Sequence, residues 1–329
     1  MKETSNRGIS VVVVTHFGGP ILVDCVNSIV PQLEDWDELF VVVSNETGAA
    51  ELDGVDAELI ELGSNVGFAA AANVGIKASS GVGILLLNDD TVADGSLLNS
   101  LRPSIEKEGL YQPRITLADG SGRIDNTGHG LYPDGFNWAI GREDADGESY
   151  DEPREVGACS GAAMLIHRSV IDKIGLFDES FHSFGEDIDL SLRAKRAGFD
   201  LRYVPEARIS HHLGASYGRY GLKKLFWIER NRIRGAFRSM PVSLLLTMPV
   251  WTAARVLGLG TASATGRTWG ARVPKRGGFA LAAGMVAGVC SIPNAISKRR
   301  MDSSGWVLGE RQMLRSFYTN RVRLVDLFR

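Results

Sequence analysis

The chain has 329 residues, of which 44% are hydrophobic and 23% charged. That length and balance can bury a sizeable core and argue against a disordered or collagen-like polymer. The net charge of −3 conceals a split: residues 1–216 carry 16 Lys and Arg against 35 Asp and Glu, residues 217–329 carry 20 against 4. Such a division points to two chemical tasks on one chain. Three widely separated cysteines, Cys25, Cys159 and Cys290, argue against a disulfide scaffold or a cysteine zinc site and fit a reducing compartment. Met1–Gly8 is polar and lacks the apolar core of an export signal.

Ile9–Val14 (ISVVVV) is a β-branched run, the pattern of a strand buried on both faces. Pro20 opens a helix with Val26, Ile29, Val30 and Leu33 on one side. Leu39–Val43 and Ala57–Leu62 read as strands, Phe68–Lys77 as a helix and Gly83–Leu87 (GILLL) as a further buried strand. Alternating strands and helices predict an α/β fold with a largely parallel sheet. Ligands then bind at the carboxyl ends of the strands. A helix is expected over Ser96–Glu108, residues 111–156 read as a long irregular stretch, and regular structure resumes at Ala162–His167 and Ser169–Ile174. No GxGxxG, GxxxxGK[ST] or GxSxG motif is present, which disfavours dinucleotide, P-loop and α/β-hydrolase readings.

Three constellations carry chemistry. Asn88-Asp89-Asp90 follows the GILLL strand, where hard oxygen ligands can hold a divalent ion that bridges a diphosphate; an Asx turn or helix cap is the alternative. Gly185-Glu186-Asp187-Ile188-Asp189 opens a helix that ends near Gly198. Acids there suit the helix dipole, but the Gly185 turn would also present Glu186 and Asp187 in a cleft, where one can act as a general base. His211-His212 can add an imidazole to a metal shell or serve as an ordinary surface or core histidine.

In order and spacing, the strand-one end, SNVGFAAAANVGI, LLLNDDT, SGAAMLIHR, FDESFHSFGEDIDLSLRAKRAG and HHLGAS together resemble glycosyltransferase family 2, most closely its rhamnosyltransferase-like branch. The similarity spans Ile9 to Ser216 and continues weakly through Glu229-Arg230-Asn231-Arg232. The resemblance implies the GT-A fold over residues 1–216, with a Rossmann-like, mostly parallel sheet and flanking helices. It also implies an inverting transfer from a nucleoside-diphosphate sugar and a Mg2+ or Mn2+ cofactor. Residue by residue, Thr15, His16, Ser44 and Asn45 match strand ends that line the nucleoside pocket, with Ser44 standing where the family has an Asp. Asn65, Gly67, Phe68 and Asn73 match its N-x-G-[FY] segment, and Asn88 and Asp89 the first part of its DxD-like motif. Asp90 and His211, rather than His212, match the metal-associated positions; Glu186-Asp187 match the acidic pair whose second member is the base. The branch implies L-rhamnose from dTDP-rhamnose as donor and a polyprenyl-diphosphate-linked or cell-envelope glycan as acceptor. A UDP-sugar transferase and a sugar-nucleotide-binding scaffold without turnover are the alternatives. A glycoside hydrolase fits less well, because adjacent carboxylates do not flank a bond at about 5–9.5 Å.

Residues 217–329 are basic and helical in pattern. The uncharged run Met240–Ala254 has 15 residues, and Arg255 interrupts it; Gly277–Ser297 has 21, but its apolar part is Phe279–Ile292. A span needs about 20 apolar residues. The expectation is a peripheral platform on the cytoplasmic face of the membrane, with Lys and Arg meeting anionic lipid. A transmembrane hairpin and a helical subdomain packed on the core are the alternatives, and nucleic acid is not expected as a partner.

Overall fold

The computed structural model describes residues 8–16, 18–45, 57–212, 221–264 and 276–328. Its first half alternates strands β1 (Ile9–Thr15), β2 (Glu38–Val43), β3 (Glu58–Glu61) and β4 (Gly83–Asn88) with helices α1 (Pro20–Ile29) and α2 (Phe68–Ala78). β1 pairs in parallel with β2 and β4, and β2 with β3. Both faces of β1, β2 and β4 are covered, which is why their sequences are nearly unbroken apolar runs, whereas the edge strand β3 (ELIE) is largely exposed. Val11, Val13, Leu85 and Leu87 meet Leu22, Val26 and Ile29 of α1 on one side. Val12, Val14, Ile84 and Leu86 meet Ala69, Ala72 and Ile76 of α2 on the other.

Beyond β4 the sheet becomes mixed. After the short β5 (Thr91–Ala93) and α3 (Leu97–Leu101) comes β6 (Gly109–Leu117), followed by β7 (Ile124–Asn126), β8 (His129–Leu131), β9 (Asn137–Ala139) and β10 (Arg154–Glu155). β11 (Ala163–His167), α4 (Arg168–Ile174), α5 (Glu186–Arg196) and β12 (Asp200–His211) complete the body. The main path runs β10-β12-β6-β11-β4-β1-β2-β3. β11 is antiparallel to β4 and β6, whereas β12 is parallel to β6.

Two expectations are corrected here. The expected helix over Ser96–Glu108 is only the five residues of α3 and a 3-10 turn, Arg102–Glu106, because Pro103 offers no N–H to continue an α-helix. Residues 111–156 are not irregular throughout: they hold most of β6 and all of β7 to β10. Their strands are too short, or too polar, for periodicity to mark. Arg114, for instance, is 1% exposed within β6 because it meets Asp146, Asp151 and the Tyr203 hydroxyl.

The C-terminal helices are α6 (Leu222–Ser239), α7 (Val242–Ala264), α8 (Gly277–Cys290), α9 (Ile292–Asp302) and α10 (Glu310–Thr319), followed by a 3-10 turn, Leu324–Phe328. They pack on α5 and β8 through Ile233, Ala236, Met248, Met313 and Phe317 against Leu131, Ile188 and Leu192. α8 crosses α6 closely at Gly284, where a Cβ would lie 2.5 Å from the Phe226 carbonyl oxygen. The expected boundary after residue 216, with Gly214 and Ser216 of the HHLGAS segment, lies outside the described residues.

Much of the basic charge turns inward. Arg238 pairs with Asp178, Asp189 and Asp302, and Lys298 also reaches Asp178. Arg255 joins Asp134 and Glu229, each at 2.8 Å, and Arg232 joins Glu229 at the same distance. α7 continues through Arg255, so its apolar segment is Val242–Gly260, 19 residues of mean hydropathy 1.5. That segment is long and apolar enough to cross a membrane, contrary to the expectation that this run is too short. The Gly277–Ser297 stretch instead breaks between α8 and α9, with a bend of 51°.

Candidate active site

The carboxyl ends of β1, β2, β4 and β12 lie at one edge of the sheet with the start of β11. A cavity of about 370 Å3 sits there. Thr15, His16, Ser44, Asn65, Gly67, Phe68, Asn88, Asp89, Asp90, Glu186, Asp187 and His211 all line it.

The nucleoside side is a hydrogen-bonded chain. The Asn65 side-chain oxygen accepts the Gly67 N–H at 2.9 Å, so its amide nitrogen faces His16 Nε2 at 3.3 Å. His16 Nδ1 then donates to the Ser44 carbonyl at 2.7 Å. The Ser44 hydroxyl accepts the Val66 N–H at 3.1 Å, so the serine holds the loop ahead of Gly67. Gly67 has φ 84° and lies so close to His182 that a Cβ would fall 2.3 Å from Nδ1. Its glycine is thus required by the protein itself.

Two predicted binding residues lie outside the cavity lining. Asn73 is 1% exposed and ties α2 to the Phe177 N–H and carbonyl and to Glu179. Asn45 donates to the His16 carbonyl at 2.7 Å, positioning its neighbour from behind. Asn73 satisfies buried backbone groups and Asn45 the His16 carbonyl, a common use of Asn.

The acidic side brings Asp90 Oδ1 within 3.2 Å of His211 Nε2. His211 Nδ1 meets Asp125 Oδ2 at 2.8 Å, and Arg142 stands 3.3 Å from the other Asp125 oxygen. Burial alone would lower the His211 pKa, but Asp125 and Asp90 outweigh it and raise the value to about 9. Burial would raise Asp125, yet the His211 bond and charge hold its carboxyl below the usual range. Asp89 is raised to about 6 by burial, against its bond from Thr15 and with repulsion from Asp90. The buried Asn88 Oδ1 has no hydrogen-bond partner among the described residues, and Asp90 Oδ1 meets only His211; both are hard oxygen donors of the kind a divalent ion takes. Among the described residues no three His, Cys, Asp or Glu side chains surround one metal position. Asp90 and His211, 3.2 Å apart and both lining the cavity, are the side chains that could hold a divalent ion here.

The base side is the N-terminus of α5. Asp187 Oδ2 accepts the Gly161 N–H at 2.9 Å and Oδ1 the Ile188 N–H at 2.8 Å. Glu186 is 5% exposed, and burial together with the Asp187 charge pushes its pKa well above the ordinary value. The two adjacent carboxyls sit in different settings: Glu186 is buried with Oε2 unpartnered among the described residues, and Asp187 lines the cavity with both oxygens held by backbone N–H groups. The loop before them is bent, with positive φ at His182, Phe184 and Gly185. Asn231 of α6 fastens it by donating to the Phe181, Ser183 and Phe184 carbonyls.

Several site residues escaped the sequence reading. Asp125, Asn126, His129 and Trp138 enter from β7 to β9, Arg142 from the turn after β9, and Lys224, Leu225 and Ile228 from α6. The Asn126 oxygen accepts the Gly128 N–H, so its amide donates to His129 Nε2 and leaves the histidine proton on Nδ1. That buried Nδ1 has no partner among the described residues. The available signal was the density of Asp, Asn and Gly in DGSGRIDNTGHG.

A sequence model described as Glycosyltransferase like family 2 matches residues 6–237, well over half the chain and through α6. Over 66 residues the chain is 42% identical to the N-acetylglucosaminyl-diphospho-decaprenol L-rhamnosyltransferase of Mycobacterium tuberculosis, covering 20% of this chain and 22% of that protein. The match thus spans less than a quarter of that relative. Rhamnosyltransferase WbbL of Escherichia coli K12 is 33% identical over 106 residues, 30% of this chain and 40% of WbbL. Among solved structures, Staphylococcus aureus TarS 1-349 in complex with UDP-GlcNAc aligns with TM-score 0.54 at 14% identity, covering 95% of this chain and 92% of that one. Mannosyltransferase PcManGT of Pyrobaculum calidifontis, in complex with GDP-Man and Mn2+, aligns with TM-score 0.52 at 15% identity, covering 87% and 86%. These likenesses show the GT-A type of fold, and with the extent of the family match they settle the assignment: the chain belongs to glycosyltransferase family 2.

Proposed function

We propose that the chain transfers a sugar, L-rhamnose from dTDP-rhamnose, with inversion onto a hydroxyl of a lipid-linked envelope glycan. The observation that carries this reading is the pairing, across one cavity, of Asp187 beside a buried Glu186 with Asp90 beside His211. Inverting transfer is a single in-line displacement at the anomeric carbon. Asp187, held by two backbone N–H groups, accepts the acceptor hydroxyl's proton as the new glycosidic bond forms. The diphosphate departs toward Asp90 and His211 as its bond to the anomeric carbon breaks. These two residues would hold a Mg2+ or Mn2+, which would supply counter-charge to the diphosphate. Asp125 holds His211 through Nδ1, which turns Nε2 toward Asp90 at the cavity, 3.2 Å away. The rhamnosyl group and the polyprenyl-diphosphate-linked acceptor are proposed from the two short-range relatives, a rhamnosyltransferase named for a diphospho-decaprenol acceptor and WbbL.

The same reading puts the protein at the cytoplasmic face of the membrane as a peripheral enzyme. α7 docks Leu244, Met248 and Arg255 inward and turns Leu246, Val250 and Leu257 outward, at 79%, 69% and 70% exposure. α8 presents Phe279 and Val286 in the same manner, with Arg276 exposed at its start. A helix pinned along one side by buried ion pairs lies on the body, and its outer stripe suits a lipid interface.

The test is a donor panel with and without EDTA, read as transfer and as donor hydrolysis. Metal-dependent turnover with dTDP-rhamnose supports the reading; turnover only with a UDP-sugar redirects the donor. Binding without turnover across the panel makes the chain a scaffold. Asp90→Ala and His211→Ala should each raise the metal concentration for half activity, and the exposed His212→Ala should not.

A further inference from the structure

A second cavity, of about 730 Å3, adjoins the first and shares Trp138, Ala139 and Arg142 with it. Its far wall is the end of α10 and the residues after it, Thr319 to Val322. Arg154 enters this space half-buried. Its guanidinium lies 4.5 Å from the Tyr203 ring centroid and 5.7 Å from that of Tyr150, and it donates to the Thr127 hydroxyl. Among the described residues it forms no ion pair with a carboxylate. The acids near it are engaged elsewhere: Asp146 and Asp151 with Arg114, Glu155 with Lys195, Asp326 with Arg323, and Asp144 with the Tyr150 hydroxyl. Glu143 also lines the cavity, held at φ 66°. Arg123 and Arg321 reach the same cavity from its exposed rim and form no ion pair among the described residues. A half-buried guanidinium flanked by aromatic rings and in no ion pair among the described residues is a receptor for an anion. Burial without a counter-ion accordingly pulls the Arg154 pKa below its ordinary value.

We propose that this second cavity binds the diphosphate of a prenyl-diphosphate-linked acceptor, with Arg154 and Arg321 as its anion-binding groups. The acceptor's sugar then crosses the shared wall of Trp138 and Ala139 to reach Asp187. Arg and diphosphate match in charge and in fork geometry. The 3-10 turn Leu324–Phe328, which packs on α7, stands beside the cavity with Val325 60% exposed. It offers the prenyl chain an apolar exit toward the same helix that faces lipid. The inference rests on the lipid-linked acceptor of the proposed function and assigns it a place.

The test is calorimetric titration of the 329-residue chain with farnesyl diphosphate in EDTA, with farnesol and inorganic diphosphate as comparison probes. Farnesyl diphosphate should bind without displacement by dTDP, and more tightly than either comparison probe. Arg154→Gln and Arg321→Gln should each weaken it about tenfold, the loss expected for one charged hydrogen bond. Arg321 is exposed, so its variant keeps the test open if Arg154→Gln fails to fold. Both variants should retain donor hydrolysis at saturating dTDP-rhamnose. No binding, equal binding by both variants, or displacement by dTDP overturns the inference. So does inorganic diphosphate or farnesol binding as tightly as farnesyl diphosphate, or loss of donor hydrolysis in Arg321→Gln. Absence of hydrolysis in the unaltered protein would refute the transferase reading instead and leave the anion site standing.

Discussion

The sheet edge and the C-terminal helices both bury charge, but they treat it differently. In the helices the buried charges are matched: Arg255 and Arg232 share Glu229 and Asp134, and Arg238 draws in Asp178, Asp189 and Asp302. At the sheet edge, the Glu186 Oε2 and Asn88 Oδ1 atoms are buried without a hydrogen-bond partner among the described residues. Matched burial holds one element on another, because removing either partner strands a charge. Unmatched burial keeps groups ready for a ligand or a proton. The opposite net charges of the two parts of the chain therefore describe less a free basic surface than the halves of an internal contact.

The sharpest way to break this comparison is at the unmatched end. Asp187→Asn keeps the shape and removes the proton acceptor, so kcat should fall about 10²–10⁴-fold while donor affinity stays near that of the parent protein. Steady-state kinetics and a donor titration read this directly, and retention of more than about a tenth of kcat would take the base role from Asp187.

The matched end predicts a stability effect instead. Arg255→Met leaves Asp134 and Glu229 buried with too little positive charge, and should lower unfolding free energy by about 3–5 kcal/mol in urea titrations. A change near zero would mean that Arg232 alone neutralises both acids. Asn231→Leu joins the two regions, since it frees the loop ahead of Glu186-Asp187 from α6. Losing its bonds to three carbonyls should cost about 1–3 kcal/mol and lower kcat more than it raises donor KM. Equal losses in kcat and stability-limited activity after correction for unfolded protein would reduce Asn231 to a packing residue.

Acid sharpens the comparison further. Burial would raise the Asp178 pKa, but Lys298, Ser180 and neighbouring arginine charge hold it down to about 2. A depressed carboxyl contributes stability that is present above its unfolded pKa, near 4, and is lost as pH falls toward 2. That contribution is about 2 kcal/mol. Lys298→Met should flatten the pH dependence of unfolding in this window, and an unchanged profile would discount the pair. The smallest effect is expected outside the protein's own contacts: Leu246→Glu on the outward stripe of α7 should weaken binding to anionic vesicles by on the order of 1 kcal/mol without changing stability. Unaltered vesicle binding would move the lipid-facing surface away from α7.

Much of the catalytic sheet was legible. Ile9–Val14, Leu39–Val43 and Gly83–Leu87 announce buried strands because a strand covered on both faces needs apolar residues at every position. Polar residues that follow such a strand are marked by contrast, which is how Thr15, Asn88, Asp89 and Asp90 came to notice. β12 was missed for the converse reason: it alternates buried and exposed residues from Asp200 to His211 and contains Pro205. β6 was missed because Pro113 and Arg114 interrupt its apolar pattern.

Local pattern thus determined the parallel half of the sheet, the α5 acids and the order of the strand-end motifs, since each depends on neighbours a few residues apart. Tertiary structure alone decided which distant groups join them. His211 meets Asp125 across 86 residues of sequence, and Arg255 meets Asp134 across 121. No period relates such partners. Each pair forms because folding buries a charge, and a buried charge takes its counter-charge from whichever element the packing brings within reach.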